Sequence, residues 1–336
     1  MSSNVMTTGD ITVRQRAFFA KKFLETVQPV LVLGKLGAVK ELPTNSTKTM
    51  SFRRRKPFAV TTVPLVEGVT PTGLILDTED VEVTINQYGA VMYTTDMVGD
   101  TSTDEVLMEA AAGLGEHAAS VQEQILYGVV KAGTVVSYTN GAARASVNTP
   151  ITVAKLQKVT QDLKVQKADK ISKTLSASAD FGTSAIQSAY VAVVHTLLEY
   201  DIRGLPGFVP TVNYGTKDMI GPQEFGSIGE LRFMSSPDLA PIADGGAAKS
   251  GSGVEMISTS GTSADVFPIL IFGKDAFASV PLQGRNSVTP MVLKANTPRG
   301  GDPLGQRGSI GYKMSLGAVI LNQTFMARIE CAATKI

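Results

Sequence analysis

DVEVTINQYGAVMYTTDMV, residues 80–98, begins with strict alternation: Val81, Val83 and Ile85 against Asp80, Glu82, Thr84 and Asn86. A period of two defines a strand with one wet face. Upstream, SFRRRKPFAVTTV (51–63) is rich in β-branched and aromatic residues and shows no helical stripe. Between the two, PLVEGVTPTG (64–73) holds Pro64, Gly68, Pro71 and Gly73, which punctuate turns and do not sit inside a helix. Together they predict a long β-hairpin over 51–98. A projecting two-stranded ribbon is marginal by itself, so it requires a neighbour.

Toward the amino terminus, residues 11–28 read as an amphipathic helix. Phe19 and Phe23 lie four apart, as do Ala20 and Leu24, and Pro29 ends the pattern. VLVLGKLGAVKELP (30–43) then runs extended. Its apolar residues need cover that so short an arm does not supply for itself.

On the other side, Ser102-Thr103-Asp104-Glu105 forms a capping-box signal. A helix is expected from there to about Lys131, with Val106, Ala110, Leu114, Ala118, Val121, Ile125 and Val129 as its apolar stripe and Gly133 as its stop. At 1.5 Å per residue it spans roughly 40 Å. The small residues Ala110–Ala112, Gly113, Gly115, Ala118 and Ala119 would let a sheet or loop approach closely. Further on, the pattern predicts a helix over 151–165, a buried strand at 189–194 and a short helix ended by Gly204 and Pro206. FGSIGELRFMSSP (225–237) reads as a hairpin and VFPILIFGKDAFASVPL (266–282) as a buried strand plus a turn. The Gly/Ala/Ser stretch 244–263 reads as a mobile loop. The tail reads as two strands about a break at Gly317 or Asn322.

Composition narrows the class. With 43% hydrophobic and 18% charged residues, the 336-residue chain is a folded protein long enough for a large core. Its net charge of +1 is too balanced for a dedicated nucleic-acid-binding domain. No apolar run is long enough to cross a bilayer, and MSSNVMTTGD lacks the pattern of a signal peptide. Cys331 is the sole cysteine, which excludes an internal disulfide and a CxxC metal or redox site; it reads as a packing residue.

Reactive groups do not converge. His117 lies inside the long helical pattern, as a polar-face residue would. His195 and Glu199 share a helix turn, but one such pair without a second histidine falls far short of a zinc signature. GGAAKS (245–250) has Ala248 where a phosphate loop requires glycine before the lysine. Carboxylates are scattered, so none can be paired for glycoside chemistry. No catalytic, cofactor-binding or metal-ligating residue is nominated, and no cofactor is expected.

The near-neutral total hides a polarity. Residues 1–60 carry eleven Lys/Arg against three Asp/Glu, whereas residues 61–133 carry one Lys against twelve Asp/Glu. Adjacent blocks of opposite sign suggest pairing, within a chain or between copies. The basic run Arg53-Arg54-Arg55-Lys56 lies in a strand, so its members point to opposite faces and only about half could grip one ligand. Glu67, Asp77, Glu79, Asp80 and Glu82 are a nearer complement than nucleic acid. A chain-to-chain or strand-to-strand contact is therefore expected, with a nucleic-acid-binding role for Arg53–Lys56 as the alternative.

The order of parts, and the stretches LPTNSTKTMSFRRRKPF, TTVPLVEGVTPTG, QYGAVMYTTDMV, EYDIRGLPGFVP and EFGSIGELRFM, resemble the major capsid proteins of tailed bacteriophages. Among these, the chain is most similar to the coat proteins of N-four-like phages. The resemblance implies an α+β fold of the Hong Kong 97 type, with an N-terminal arm at 1–50, an extended loop at 51–98 and a peripheral domain with spine helix at 99–134. It further implies a mainly axial domain at 135–290 and a C-terminal return to the peripheral domain at 291–336. The implied role is non-enzymatic self-assembly as pentamers and hexamers into an icosahedral head around double-stranded DNA. Arg53, Arg54, Arg55, Lys56, Glu67, Asp77, Glu79, Asp80 and Glu82 would contact neighbouring subunits through the loop, and Phe19, Phe23 and Leu24 through the arm. The implied partners are other copies, a separate scaffolding protein, a portal, decoration proteins and packaged DNA touched non-specifically on the inner face, with no membrane. The location implied is the virion, after synthesis in the host bacterial cytoplasm.

Overall fold

A computed structural model describes residues 31–336 apart from positions 44, 46, 57, 59, 61, 66, 71–72, 102–105, 176–182, 215–218, 251–253, 283–287, 294 and 296–300. The amphipathic pattern at 11–28 and the capping box at 102–105 lie outside the described residues. Helices and strands mix throughout, as an α+β fold requires. In chain order the main elements are α1 (Leu33–Leu36), β1 (Ala38–Val39), β2 (Thr49–Arg55), β3 (Thr78–Thr84), β4 (Asn86–Thr95), α2 (Val106–Val130) and β5 (Val136–Tyr138). There follow α3 (Val153–Val165), β6 (Ile171–Leu175), β7 (Thr183–His195), β8 (Phe208–Pro210), β9 (Glu224–Ile228) and β10 (Leu231–Ser236). The last five are β11 (Phe267–Phe272), β12 (Phe277–Pro281), β13 (Val288–Leu293), β14 (Arg307–Ile320) and β15 (Met326–Cys331).

β14 is the trunk of a five-stranded sheet. Along one side it pairs antiparallel with β4, from Arg307 opposite Thr95 to Leu316 opposite Asn86. Along the other it pairs with β13 and then with β12, and β1 closes that edge in parallel with β12. An eight-stranded mixed sheet runs β5-β15-β11-β7-β10-β9-β8, with β6 on β7. Its central strand β11, FPILIF, is buried at all six positions, because both faces of the sheet are covered. Leu156, Val159 and Leu163 of α3 cover one face together with Leu198 and Ile202. The other face meets α1 and the C-terminal half of α2 through Leu126, Tyr127 and Val130.

Several expectations are corrected. The hairpin proper pairs only Thr49–Arg55 with Thr78–Thr84; after the buried Ile85 the same chain continues as β4 into the five-stranded sheet. Period-two patterning identifies a strand but not its partner, so the junction was invisible. Residues 30–43 are not extended throughout, because Leu33–Leu36 form a helical turn. The described residues of the 244–263 stretch do not form a loose loop: Ala248 bridges Ser263, Met256 is wholly buried and bridges Thr334, and Asp244 and Asp265 accept hydrogen bonds from Ser258, Thr259 and Ser260. Of the two breaks expected in the tail the one at Asn322 is found, its side chain accepting from the Thr324 amide. Gly317 instead lies inside β14, where an added Cβ would come within 2.9 Å of Val83. The two tail strands belong to different sheets.

Residues 266–282 hold two strands, β11 and β12, in different sheets rather than one strand and a turn, and residues 96–98, expected in the hairpin, open a short helix, Asp96–Thr101. α3 buries the predicted apolar residues, β9 and β10 form the hairpin about Gly229 (φ +59°), and Cys331 is buried with its thiol donating to the Phe267 carbonyl. Burial pushes that thiol's pKa up, as suits a packing residue. Phe272 is fully buried beside Phe277, ring centroids 4.9 Å apart, beneath α1 and α2. Phe272→Ala is expected to cost about 3–5 kcal/mol, measured as a lower denaturant midpoint of the unassembled chain; an unchanged midpoint would show that this face is not a packed core.

Candidate interaction surface

The hairpin register sets Arg53 opposite Asp80, Arg54 opposite Glu79 and Arg55 opposite Thr78. Side chains alternate, so Phe52 and Arg54 turn toward the body while Arg53 and Arg55 face water. The Arg53 Nε donates to Asp80 Oδ1 at 3.0 Å, and Lys56 Nζ to Asp77 Oδ2 at 2.9 Å. Arg54 donates to Glu79 and, with its other terminal nitrogen, to Asn322 Oδ1 at 2.9 Å and the Leu321 carbonyl at 3.4 Å. Arg54 thus joins the ribbon to the turn between β14 and β15. Phe52 packs near Met50, Val83, Ile85 and Leu42, with Lys40 Nζ 5.3 Å from its ring centroid. The partner cations hold the Asp77 and Asp80 carboxyls below the usual carboxylate range.

Three of the four cations in the basic run are therefore paired across their own hairpin. Arg55, Glu67 and Glu82 make no ion pair among the described residues. Beyond the paired stalk the chain carries apolar side chains into water: Val60 is 87% exposed, Leu65 78% and Ile75 88%, with Phe58, Val63, Val69, Leu74 and Leu76 also exposed. Exposed single apolar residues are ordinary; eight within nineteen positions form an uncovered surface. The arm residues Phe19, Phe23 and Leu24 lie outside the described residues.

The long helix presents its small residues to the sheet. Ala118 and Ala119 pack under Tyr312 and Met314 of β14, whereas Gly113 faces open space. The buried stripe runs through Ala111, Gly115, Ala118, Ala119, Leu126, Tyr127 and Val130. It is rotated by about one residue from the expected stripe, whose Leu114, Val121 and Ile125 are half-buried. Glu123 falls on this face, fully buried, and its carboxylate accepts the backbone N–H groups of Val32, Leu33 and Gly34 at 2.7, 3.0 and 3.2 Å. Burial raises its pKa to about 6 against the opposing pull of those bonds. Sequence reasoning missed this residue; the available signal was a carboxylate four positions after Ala119 on a helix face otherwise apolar.

The candidate reactive groups do not assemble. His195 Nδ1 accepts the Leu197 amide at 3.1 Å and its ring lies 5.4 Å from that of Phe267. Glu199 instead bonds Arg203, so the pair separates. Burial lowers the pKa of His195. His117 Nδ1 lies 2.7 Å from the Tyr312 hydroxyl. Among the described residues no group of three or more His, Cys, Asp and Glu is placed to hold a metal ion, and no helix is long and apolar enough to cross a membrane.

Several solved phage capsid structures superpose on this fold. The capsid of Ralstonia phage GP4 superposes with a TM-score of 0.64 at 12% identity, over 92% of this chain and 90% of that one. The cyanophage Pam1 capsid subunit gives 0.60 at 13%, over 93% of each chain. The head protein of Helicobacter pylori bacteriophage KHP40 gives 0.60 at 10%, over 91% and 89%. The search of curated proteins finds no match. The sequence profile of the phage capsid protein family matches residues 78–329, and the chain belongs to that family. Its role is structural, in the virion, and its partners there are copies of itself.

Removing Arg54 breaks the ribbon's bonds to both Glu79 and Asn322 at once. Arg54→Ala should speed amide hydrogen exchange in 49–55 and 78–84 while leaving the unfolding midpoint of the body nearly unchanged; equal protection in variant and wild type would show that Arg54 does not anchor the ribbon.

Proposed function

We propose that the chain is the major capsid subunit of a tailed bacteriophage, of the Hong Kong 97 type and akin to the coat proteins of N-four-like phages. Pentamers and hexamers of it close an icosahedral head around double-stranded DNA. The observation that carries the reading is an ion-paired stalk bearing an apolar loop that is uncovered among the described residues. Transfer of one such side chain from water into a contact is worth about 1.5–3 kcal/mol. Several of them repeated around a ring make the loop a strong adhesive between copies.

In this reading residues 1–50 are the arm, in which Phe19, Phe23 and Leu24 make the contact, and 51–98 the extended loop. Its stalk charges, Arg53–Lys56 with Glu67, Asp77, Glu79, Asp80 and Glu82, lie along a neighbour. The helix segment 99–134 and the five-stranded sheet form the peripheral domain, and most of 135–290 the axial domain. Residues 291–336 are read as the C-terminal return to the peripheral domain. DNA meets the inner face non-specifically, and a separate scaffold, a portal and decoration proteins complete the head. Pairing of Arg53, Arg54 and Lys56 with carboxylates disfavours the alternative in which this run grips phosphate.

Electron microscopy of the purified chain, alone and with its scaffold, tests the reading: ring-shaped capsomers or closed shells are expected, and a uniform small particle under every condition refutes it. The loop has its own test. Val63→Ser, Leu65→Ser and Ile75→Ser together should leave the unfolding midpoint intact and abolish shells. Exchanging charges within the stalk (Arg53→Asp with Asp80→Arg, Arg54→Glu with Glu79→Arg) restores the internal pairs but reverses the face shown to a neighbour. A full yield of shells from that exchange would remove the stalk charges from the contact and leave the apolar loop to make it.

A further inference from the structure

At the carboxyl end of α2 cations outnumber the carboxylates that hold them. Glu330 of β15 is fully buried and takes both prongs of Arg144, Nε to Oε2 and Nη2 to Oε1, each at 2.7 Å. Arg328 lies two residues earlier on the same face of β15. Its Nε comes within 3.0 Å of Glu330 Oε1, but without hydrogen-bond geometry. Its Nη1 donates to the carbonyl of Lys131, the residue that follows α2. The Lys131 amine stands 5.2 Å from the ring centroid of Tyr127 and makes no hydrogen bond or ion pair among the described residues.

Three cations from three separate elements thus share one carboxylate, a surplus of two positive charges. Tyr127 adds no negative charge, since burial pushes its hydroxyl up to about 12 and that hydroxyl donates to the Ala240 carbonyl. Burial, then Arg144 and Arg328, lower the pKa of the Lys131 amine, and Glu330 offsets them only in part. Lys131 Nζ, Arg144 Nη1 and Arg328 Nη2 make no hydrogen bond among the described residues, and each of the three reaches water.

We propose that Lys131, Arg144 and Arg328 form a binding site for a phosphate group, with Glu330 as the internal counter-charge that holds the two guanidinium groups in place. Guanidinium N–H groups suit the oxygens of phosphate, and a lysine amine adds a point charge beside them. A carboxylate ligand would bring two oxygens and a single charge. A phosphate brings an oxygen for each of the three open donors, and its dianion matches the surplus. Inorganic phosphate and the phosphodiester of a nucleic acid share this chemistry. The site lies within one chain and stands whether or not copies assemble.

Calorimetric titration of the full-length unassembled chain with inorganic phosphate, at an ionic strength held constant with chloride, tests the proposal. Saturable binding is expected, and Lys131→Met should weaken it by about tenfold or more. Lys40→Met, which removes an amine lying over Phe52 instead, should leave it unchanged. Glu330→Gln removes the counter-charge and should tighten binding, a change of sign that loss of structure does not produce; if that variant fails to fold, Lys131→Met decides. A short duplex oligonucleotide that displaces phosphate, and is itself weakened by Lys131→Met, supports the site with nucleic acid as the source of the group. Phosphate binding that the oligonucleotide does not displace supports it with the free ion as the source. Absence of saturable binding by either, or an unchanged affinity in Lys131→Met, overturns the proposal. So does acetate binding as tight as that of phosphate, which would make this a seat for a carboxylate of another protein chain.

Discussion

Close packing of α2 against both sheets is the constraint on which the other parts depend. Its N-terminal half meets β14 through Ala118 and Ala119, where side chains no larger than a methyl let Tyr312 and Met314 descend on the helix. Its C-terminal half meets the eight-stranded sheet through Leu126, Tyr127 and Val130. A larger residue at Ala118 or Ala119, both without exposed surface, would lift β14 from the helix and overpack the seam. Because β14 also carries β4, and β4 continues into the ribbon, the angle at which the ribbon leaves the body is set by that seam.

The ribbon separates two physical tasks that composition alone merges. Opposite charges along 53–56 and 77–80 largely cancel within one chain, which supports a two-stranded element that hydrogen bonds alone would leave marginal. Exposed ion pairs are weak in water and weaker in salt. Register is specified instead by Phe52, which a slip by one residue turns to solvent, since such a slip still sets an arginine opposite a carboxylate. The ribbon's exposed apolar side chains lie in the loop beyond the stalk. The charge blocks in the sequence thus describe a stiff support more than a sticky surface.

Much of this organisation was legible because it rests on local rules. Period-two alternation at 80–86, the helical spacing of Leu156, Val159 and Leu163, and the all-apolar run at 267–272 each report a face that must be buried. What could not be read was which distant surface supplies the cover. The strand after Ile85 changes partner without changing its pattern, because β3 and β4 both have one wet face. The buried face of α2 was displaced by about one residue because alanine and glycine mark close approach while scoring low on hydrophobicity; the stripe drawn through Val106, Leu114 and Val121 followed size. α1 was missed because Leu33–Leu36 is a single turn made by a carboxylate ninety residues away.

Three carboxylates buried in the body share a logic with Glu123 as one of them. Glu224 receives both Arg232 nitrogens, the Tyr214 hydroxyl and the Ile220 amide, tying β9, β10 and the preceding loop together. Glu330 receives a two-pronged contact from Arg144 at 2.7 Å and sits beside Arg328, tying β15 to the segment after β5. Transferring such groups from water costs several kcal/mol per ion, so their pairing adds little net stability over well-packed apolar residues. Each is satisfied in one arrangement only, however, and a shift of about an ångström leaves a charge without partners in a medium that does not solvate it. These contacts fix how elements distant in sequence sit on one another. A subunit whose copies must meet in register gains from that fixity, since an error in one body is carried into every contact it makes.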